Sequence, residues 1–217
     1  METTELINLI KARRSIRSFQ DKPVPEALLL QAVEAATWAP NASNAQDWRF
    51  LIILDGKVID AVADAILESV KTMVSWPEMA NAGPAPRSDA QLRKAPALIV
   101  VMATHSVHAG FGGYQDAVIP KRALTDPSAK QMFDGGQIVA GRVQSTSAAV
   151  AYLMLVLHQM GLGSLWMSGP LHAKAGIEKA LKLKPGVDVV TLVPVGYPAE
   201  NPTRIRKPLS EVCHVIS

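Results

Sequence analysis

The chain has 217 residues, 48% of them hydrophobic and 19% charged, which is enough for one well-buried domain and too apolar for a disordered protein. Its net charge is +3 and its pI about 9.0, yet only 5% of residues are aromatic, so the interleaved basic and aromatic face of a nucleic-acid binder is missing. A single cysteine, Cys213, excludes an internal disulfide framework and a cysteine-based zinc cluster.

In chain order, Thr4 is placed to cap a first helix whose Leu6, Ile7, Leu9 and Ile10 form an apolar stripe ending near Arg13. Pro25 suits the first turn of a second helix, with Leu28, Leu29, Ala32, Val33, Ala35 and Ala36 as its buried face and Pro40 as its stop. Trp48 to Leu54 is a near-continuous apolar run, expected as a strand buried on both faces. Asp55-Gly56 turns into a third helix carrying Val58, Ile59, Val62, Ala65, Ile66 and Val70. Pro77, Gly83, Pro84 and Pro86 mark an irregular stretch before a second buried strand, Ala97 to Ala103. Residues from about 104 to 137 lack a sustained period and are expected as a covering insertion.

A long helix follows from near Gln144 to Met160, with Gly161 as its stop. Ser164 to Met167 is expected as the third strand, Lys174 to Leu183 as a short helix, and Val187 to Val195 as the fourth strand. The remainder, from about 199 to 217, looks like an extended arm. Strands alternating with helices over the whole of residues 1–217 give one layered α+β (α/β) domain.

The most apolar stretch, Ala148 to Leu157, is too short to span a bilayer, and the N-terminal residues, with Glu2 and Glu5, hold no apolar core of signal-peptide length. A soluble, cytoplasmic protein is expected. The five histidines are scattered; His105 and His108 lie close together without a third ligand, so no metal site is expected.

Two basic clusters flank the chain: Arg13, Arg14, Ser15 and Arg17 at one end, and Arg204, Arg206 and Lys207 at the other. Guanidinium forks match a phosphate bidentately, and a serine hydroxyl adds a bond. The turn Pro40, Asn41, Ala42, Ser43, Asn44, Ala45 and Gln46 offers donors and acceptors suited to a heterocycle's edge. Together they suggest a pocket for a phosphorylated ring cofactor.

The segments RRSIRSF, APNASNAQDWRF, GLGSLWMSG and GYPAENPTRIRKP, in this order and spacing, resemble the nitroreductase family of FMN-dependent oxidoreductases across almost the whole chain. The resemblance implies a central mixed, mainly antiparallel sheet flanked by helices, in an intertwined homodimer with FMN in two interface clefts. It implies that Arg13, Arg14, Ser15, Arg17, Arg204 and Arg206 hold the FMN phosphate and ribityl chain. Pro40, Asn41, Ala42 and Asn44 would reach the ring from the other subunit, with Gln46 at its pyrimidine edge. Trp166, Met167, Ser168 and Gly169 would lie beside flavin N5, with a backbone N–H of Ser168 or Gly169 donating to it, and Trp166 and Met167 packing on the ring or filling the core.

Asp47 departs from the proline that the family often has there. Its charge would disfavour an anionic reduced flavin, unless it turns to solvent or pairs with Arg49. The reaction implied is ping-pong hydride transfer from NADH or NADPH through FMN to a small electron-poor acceptor, such as a nitroaromatic or quinone. No protein residue is named as the catalytic acid. Other flavin reactions on the same scaffold, such as reductive dehalogenation or flavin fragmentation, and a non-catalytic flavin-binding role are the alternatives.

Overall fold

A computed structural model describes residues 2–85, 87–104, 118, 121–134 and 141–216. Among the described residues four strands, β1 (Trp48–Ile53), β2 (Ala97–Thr104), β3 (Gly163–Ser164) and β4 (Val187–Gly196), form one sheet in the order β1-β2-β4-β3 with every neighbour antiparallel. A parallel element enters through the isolated bridge from Ser15 to Ser164. The helices are α1 (Thr3–Ala12), α2 (Glu26–Ala36), α3 (Gly56–Val74), α4 (Ser88–Arg93), α5 (Pro127–Asp134), α6 (Gly141–Gln159), α7 (Lys174–Ala180) and α8 (Leu209–Val212). None of the described helices is long and apolar enough to cross a membrane.

The central strand β2 explains the layering. Side chains alternate across a strand, and β2 has apolar residues on both faces. Ala97, Ile99 and Val101 pack with Leu29, Ala32 and Ala36 of α2 and with Val150, Leu153 and Leu157 of α6. Leu98, Val100 and Met102 pack on the opposite face with Ile59, Val62 and Ile66 of α3 and Ile177 of α7. Strand β4 divides in the same way, Val193 and Val195 to the first layer, Leu192 and Val189 to the second. Each fully buried leucine or isoleucine contributes about 1.5–3 kcal/mol relative to exposure.

β1 is an edge strand yet is covered on both faces as expected, Leu51 and Ile53 meeting one layer and Phe50 and Ile52 the other, with Arg49 alone exposed. Several other expectations need correction. β3 is only Gly163–Ser164; Met167 rejoins the sheet through a single bridge to Leu192. The first helix begins one residue before Thr4, with Glu2 as its N-cap and the Glu2 N–H donating to the Glu5 carboxylate at 2.9 Å. Its stripe has no buried residue: Leu6, Ile7 and Ile10 are 41%, 43% and 49% exposed. The stretch at about 104–137 is not irregular throughout, since α5 lies within it; most of the remainder, with His105 and His108, lies outside the described residues. The arm carries the short helix α8. The stop of α6 is as expected: Gly161 adopts φ +76°, which a glycine takes without a Cβ penalty, and the Leu162 N–H donates to the Leu157 carbonyl at 2.9 Å.

Candidate functional site

Two chain segments far apart in sequence are brought together at the edge of the sheet. Residues 15–20 run beside β3 and the chain after β4: the Ile16 N–H donates to the Ser164 carbonyl at 3.0 Å, and the Gln20 N–H to the Tyr197 carbonyl at 2.9 Å. The Ala199 N–H in turn donates to the Ser18 carbonyl at 3.0 Å. Two glycines make this approach possible. A Cβ on Gly163 would meet Ile16 Cβ at 2.8 Å, and one on Gly196 would meet the Pro96 ring at 2.7 Å and Phe19 at 2.8 Å. The glycine segment read from the sequence thus sets the distance between the sheet and the first basic cluster.

That packing joins both arginine clusters around one cavity of about 110 Å³, lined by Arg13, Arg14, Ser15, Arg17, Pro202, Arg204 and Arg206. Arg13 is the half-buried centre of it, and its Nη1 is buried with no hydrogen-bond partner. Burial first, then Arg206 and then Arg14, push the Arg13 pKa down. Arg14 is turned back toward α1, with Nη1 donating to the Lys11 and Arg13 carbonyls, and so caps the helix end. Arg17 Nη1 reaches the Ser15 carbonyl at 3.5 Å. Converging cations with a buried, unpartnered N–H form an anion site in charge and in hydrogen-bond demand.

A second cavity of about 390 Å³ shares Arg13, Ser15 and Arg206 with the first, and continues over Ile10, Ala151, Met154, Leu155 and Trp166. The site is therefore a cationic end opening into an apolar trough, able to take a planar ring with an anionic tail. Ile10, Pro202 and the α6 residues were not among the expected site residues. The all-round apolar character of α6 was the available signal, and it reads equally well as core.

The other expected residues divide. Trp166 lines the trough, half-exposed at 36%. Met167 is buried in the core, and its N–H is spent on the Leu192 carbonyl at 2.9 Å. Ser168 and Gly169 are exposed at the start of a 3-10 turn, where the first N–H groups have no carbonyl of their own helix to meet.

The turn from Pro40 to Gln46 lines neither cavity of its own chain. It is nonetheless tightly specified. Ser43, Asn44 and Gln46 all have positive φ (54°, 53° and 52°), each costing about 1–2 kcal/mol in a non-glycine residue. Asn41 Oδ1 accepts the Gln46 N–H at 3.0 Å, Gln46 Nε2 donates to Asn44 Oδ1 at 3.2 Å, and the Ala42 N–H donates to Ser145 Oγ of α6 at 3.2 Å. Asp47 is corrected: it is 3% exposed, so it does not face solvent. The Thr104 hydroxyl lies 3.3 Å from its carboxylate, while Arg49 donates to the Gln46 and Trp48 carbonyls instead. No cluster of metal-ligating side chains occurs among the described residues.

Comparison with known proteins adds four findings. The profile of the Nitroreductase family matches residues 10–197. An NADH dehydrogenase of Thermus thermophilus is 29% identical over 205 residues, covering 87% of this chain and 84% of the relative. Among solved structures, a BluB-like flavoprotein from Clostridium difficile 630 superposes with a TM-score of 0.77 at 22% identity over 100% of both chains. An iodotyrosine deiodinase bound to FMN and 3-iodo-L-tyrosine gives 0.69 at 24% identity, covering 98% of this chain and 97% of that one. At these identities the structural likeness shows the fold.

Proposed function

The chain belongs to the nitroreductase family, and from that premise we propose that it is an FMN-dependent oxidoreductase oxidising NADH or NADPH and reducing a small electron-poor acceptor in ping-pong order. The observation that carries this reading is Arg13 Nη1, buried without a partner in a cavity shared with Arg206. A phosphate group answers both its unmet hydrogen bond and the mutual repulsion of the arginines. A terminal phosphate suits FMN; a dinucleotide would instead need a groove for its adenylate half.

In this reading Arg13, Arg17, Arg204 and Arg206 hold the phosphate, Ser15 adds a hydroxyl, and Arg14 keeps the end of α1 in place. Ile10, Ala151, Met154, Leu155 and Trp166 exclude water from one side of the trough. The N–H groups of Ser168 and Gly169 orient the reacting edge of the ring. When bound, FMN supplies reversible two-electron chemistry at N5. The cytoplasm is the proposed compartment.

We further assign a homodimer. The exposed stripe of α1 and an arm with Ile205 at 95% and Ile216 at 99% exposure support it, since isolated apolar faces of this kind seek cover. The strained Asn41–Gln46 turn, which lines neither of these two cavities, is the piece each subunit would lend to the other. Reductive dehalogenation is a second reading, supported by the fold shared with iodotyrosine deiodinase. Anaerobic addition of NADPH to the yellow protein tests the main proposal: the flavin band bleaches, and reoxidation by a panel of quinones, nitroaromatics and halophenols separates the two readings.

A further inference from the structure

Glu200 lies against Arg17 and Ser18 of the first basic cluster and a few residues before Arg204 and Arg206 of the second, where a carboxylate would ordinarily be captured by a guanidinium. It is not. Among the described residues the arm's ion pair is Lys207–Glu211 at 3.9 Å, and Glu200 joins none of the five guanidiniums at residues 13, 14, 17, 204 and 206. Its Oε1 instead accepts two backbone N–H groups, from Arg17 and from Ser18 at 3.0 Å. The Arg17 side chain turns the other way, toward the Ser15 carbonyl.

We propose that Glu200 is the positioning residue of the anion cradle, fastening the first arginine cluster to the arm that carries the second while pairing with none of the guanidiniums. The proposal rests on the reading of the cradle as a phosphate site. The backbone pairing around it defines a two-strand register: Gln20 to Tyr197, Ala199 to Ser18, and then Glu200 across to Arg17 and Ser18. The Gln20 side chain also donates to the Pro198 carbonyl at 2.9 Å, at the far end of this pairing; the Glu200 step is the one at Arg17, which lines the cavity. Arg17 comes from one cluster; Arg204 and Arg206 follow Glu200 by a few residues. A carboxylate spent on backbone amides sets the spacing of the clusters without contributing a counter-ion to either.

The distinction is testable because position and charge make opposite predictions. Glu200→Ala removes the acceptor and the charge; Glu200→Gln removes the charge and keeps an acceptor oxygen. Flavin-stripped full-length protein is titrated with FMN and with riboflavin, which lacks the phosphate. The expected result is FMN affinity lowered about tenfold or more in Glu200→Ala, the scale of lost bonds to a charged group, with riboflavin affinity unchanged. Glu200→Gln retains FMN affinity near that of the original protein. Tighter FMN binding by both variants would make Glu200 a counter-ion and overturn the role. So would unaltered FMN binding by Glu200→Ala, or equal loss of FMN and riboflavin. An original protein that binds riboflavin as tightly as FMN would overturn the phosphate reading itself, and this role with it.

Discussion

Arg13 and Arg206 share one cavity from opposite ends of the chain; burial first, then repulsion from Arg206, lowers the Arg13 pKa, and the adjacent Arg14 contributes less. The fold thus holds two like charges together without an internal counter-ion. Such an arrangement costs stability until an anion arrives.

The first prediction follows from that cost. Arg13→Met should raise the melting temperature of the flavin-free protein, because an unpartnered cation is replaced by an apolar side chain of similar length. The same variant should lose about 1.5–3 kcal/mol of FMN binding, the range for a hydrogen bond to a charged group. Paired thermal scans with and without FMN check both signs. A flavin-free variant less stable than the parent contradicts the account.

A second prediction concerns Gly163. Its Cβ would lie 2.8 Å from Ile16, whose branched side chain is buried and has no room to retreat. Gly163→Ala should destabilise the protein by about 1–3 kcal/mol through overpacking. It should also weaken FMN binding, since the Ser15–Ser164 bridge is what holds the first arginine cluster at the cavity. Urea unfolding and a flavin titration measure the two effects.

The third prediction uses Ser145, which is 7% exposed and accepts the Ala42 N–H. Ser145→Ala strands that donor and releases a turn with three positive-φ residues. The expected loss is about 1–3 kcal/mol of stability. Flavin release on dilution should quicken as well, because the loosened turn is the part assigned to the partner's site. Unchanged release with reduced stability would remove the turn from the flavin site.

How much of this was legible beforehand depends on which interactions decide each part. The layers were readable because α2 and α3 carry apolar residues at helical spacing, while β2 and α6 are near-continuous apolar runs. β3 was overestimated because Leu165 and Met167 are apolar for core packing, not for ladder pairing. The arginine clusters were visible as charge, but their convergence depends on Gly163, Gly196 and Glu200, which act through close approach and backbone bonds that no residue pattern displays. Asp47 misled for the same reason: it meets the Thr104 hydroxyl, 57 positions along the chain, while its neighbour Arg49 turns to backbone carbonyls.

A fourth prediction is a pH effect at His158, in the last turn of α6. Burial first, then Arg13 and Arg14, hold its pKa below the ordinary histidine value. The unfolded chain therefore binds more protons, so this group's stability contribution is complete above the unfolded pKa. It is lost as the pH falls from that value toward the folded one. A phosphate dianion offsets the two arginines and should raise the His158 pKa. Imidazole proton shifts followed from pH 5 to 8, with and without FMN, are expected to give a higher midpoint in the complex; coincident midpoints contradict it.

The measurement that most directly tests the central claim is a crystal structure of the protein grown with FMN. The account predicts phosphate density in the cavity between Arg13 and Arg206, with Arg13 Nη1 at hydrogen-bond distance from a phosphate oxygen and the isoalloxazine over Met154, Leu155 and Trp166. FMN bound elsewhere, or with its phosphate outside that cavity while Arg13 stays unpartnered, would contradict it.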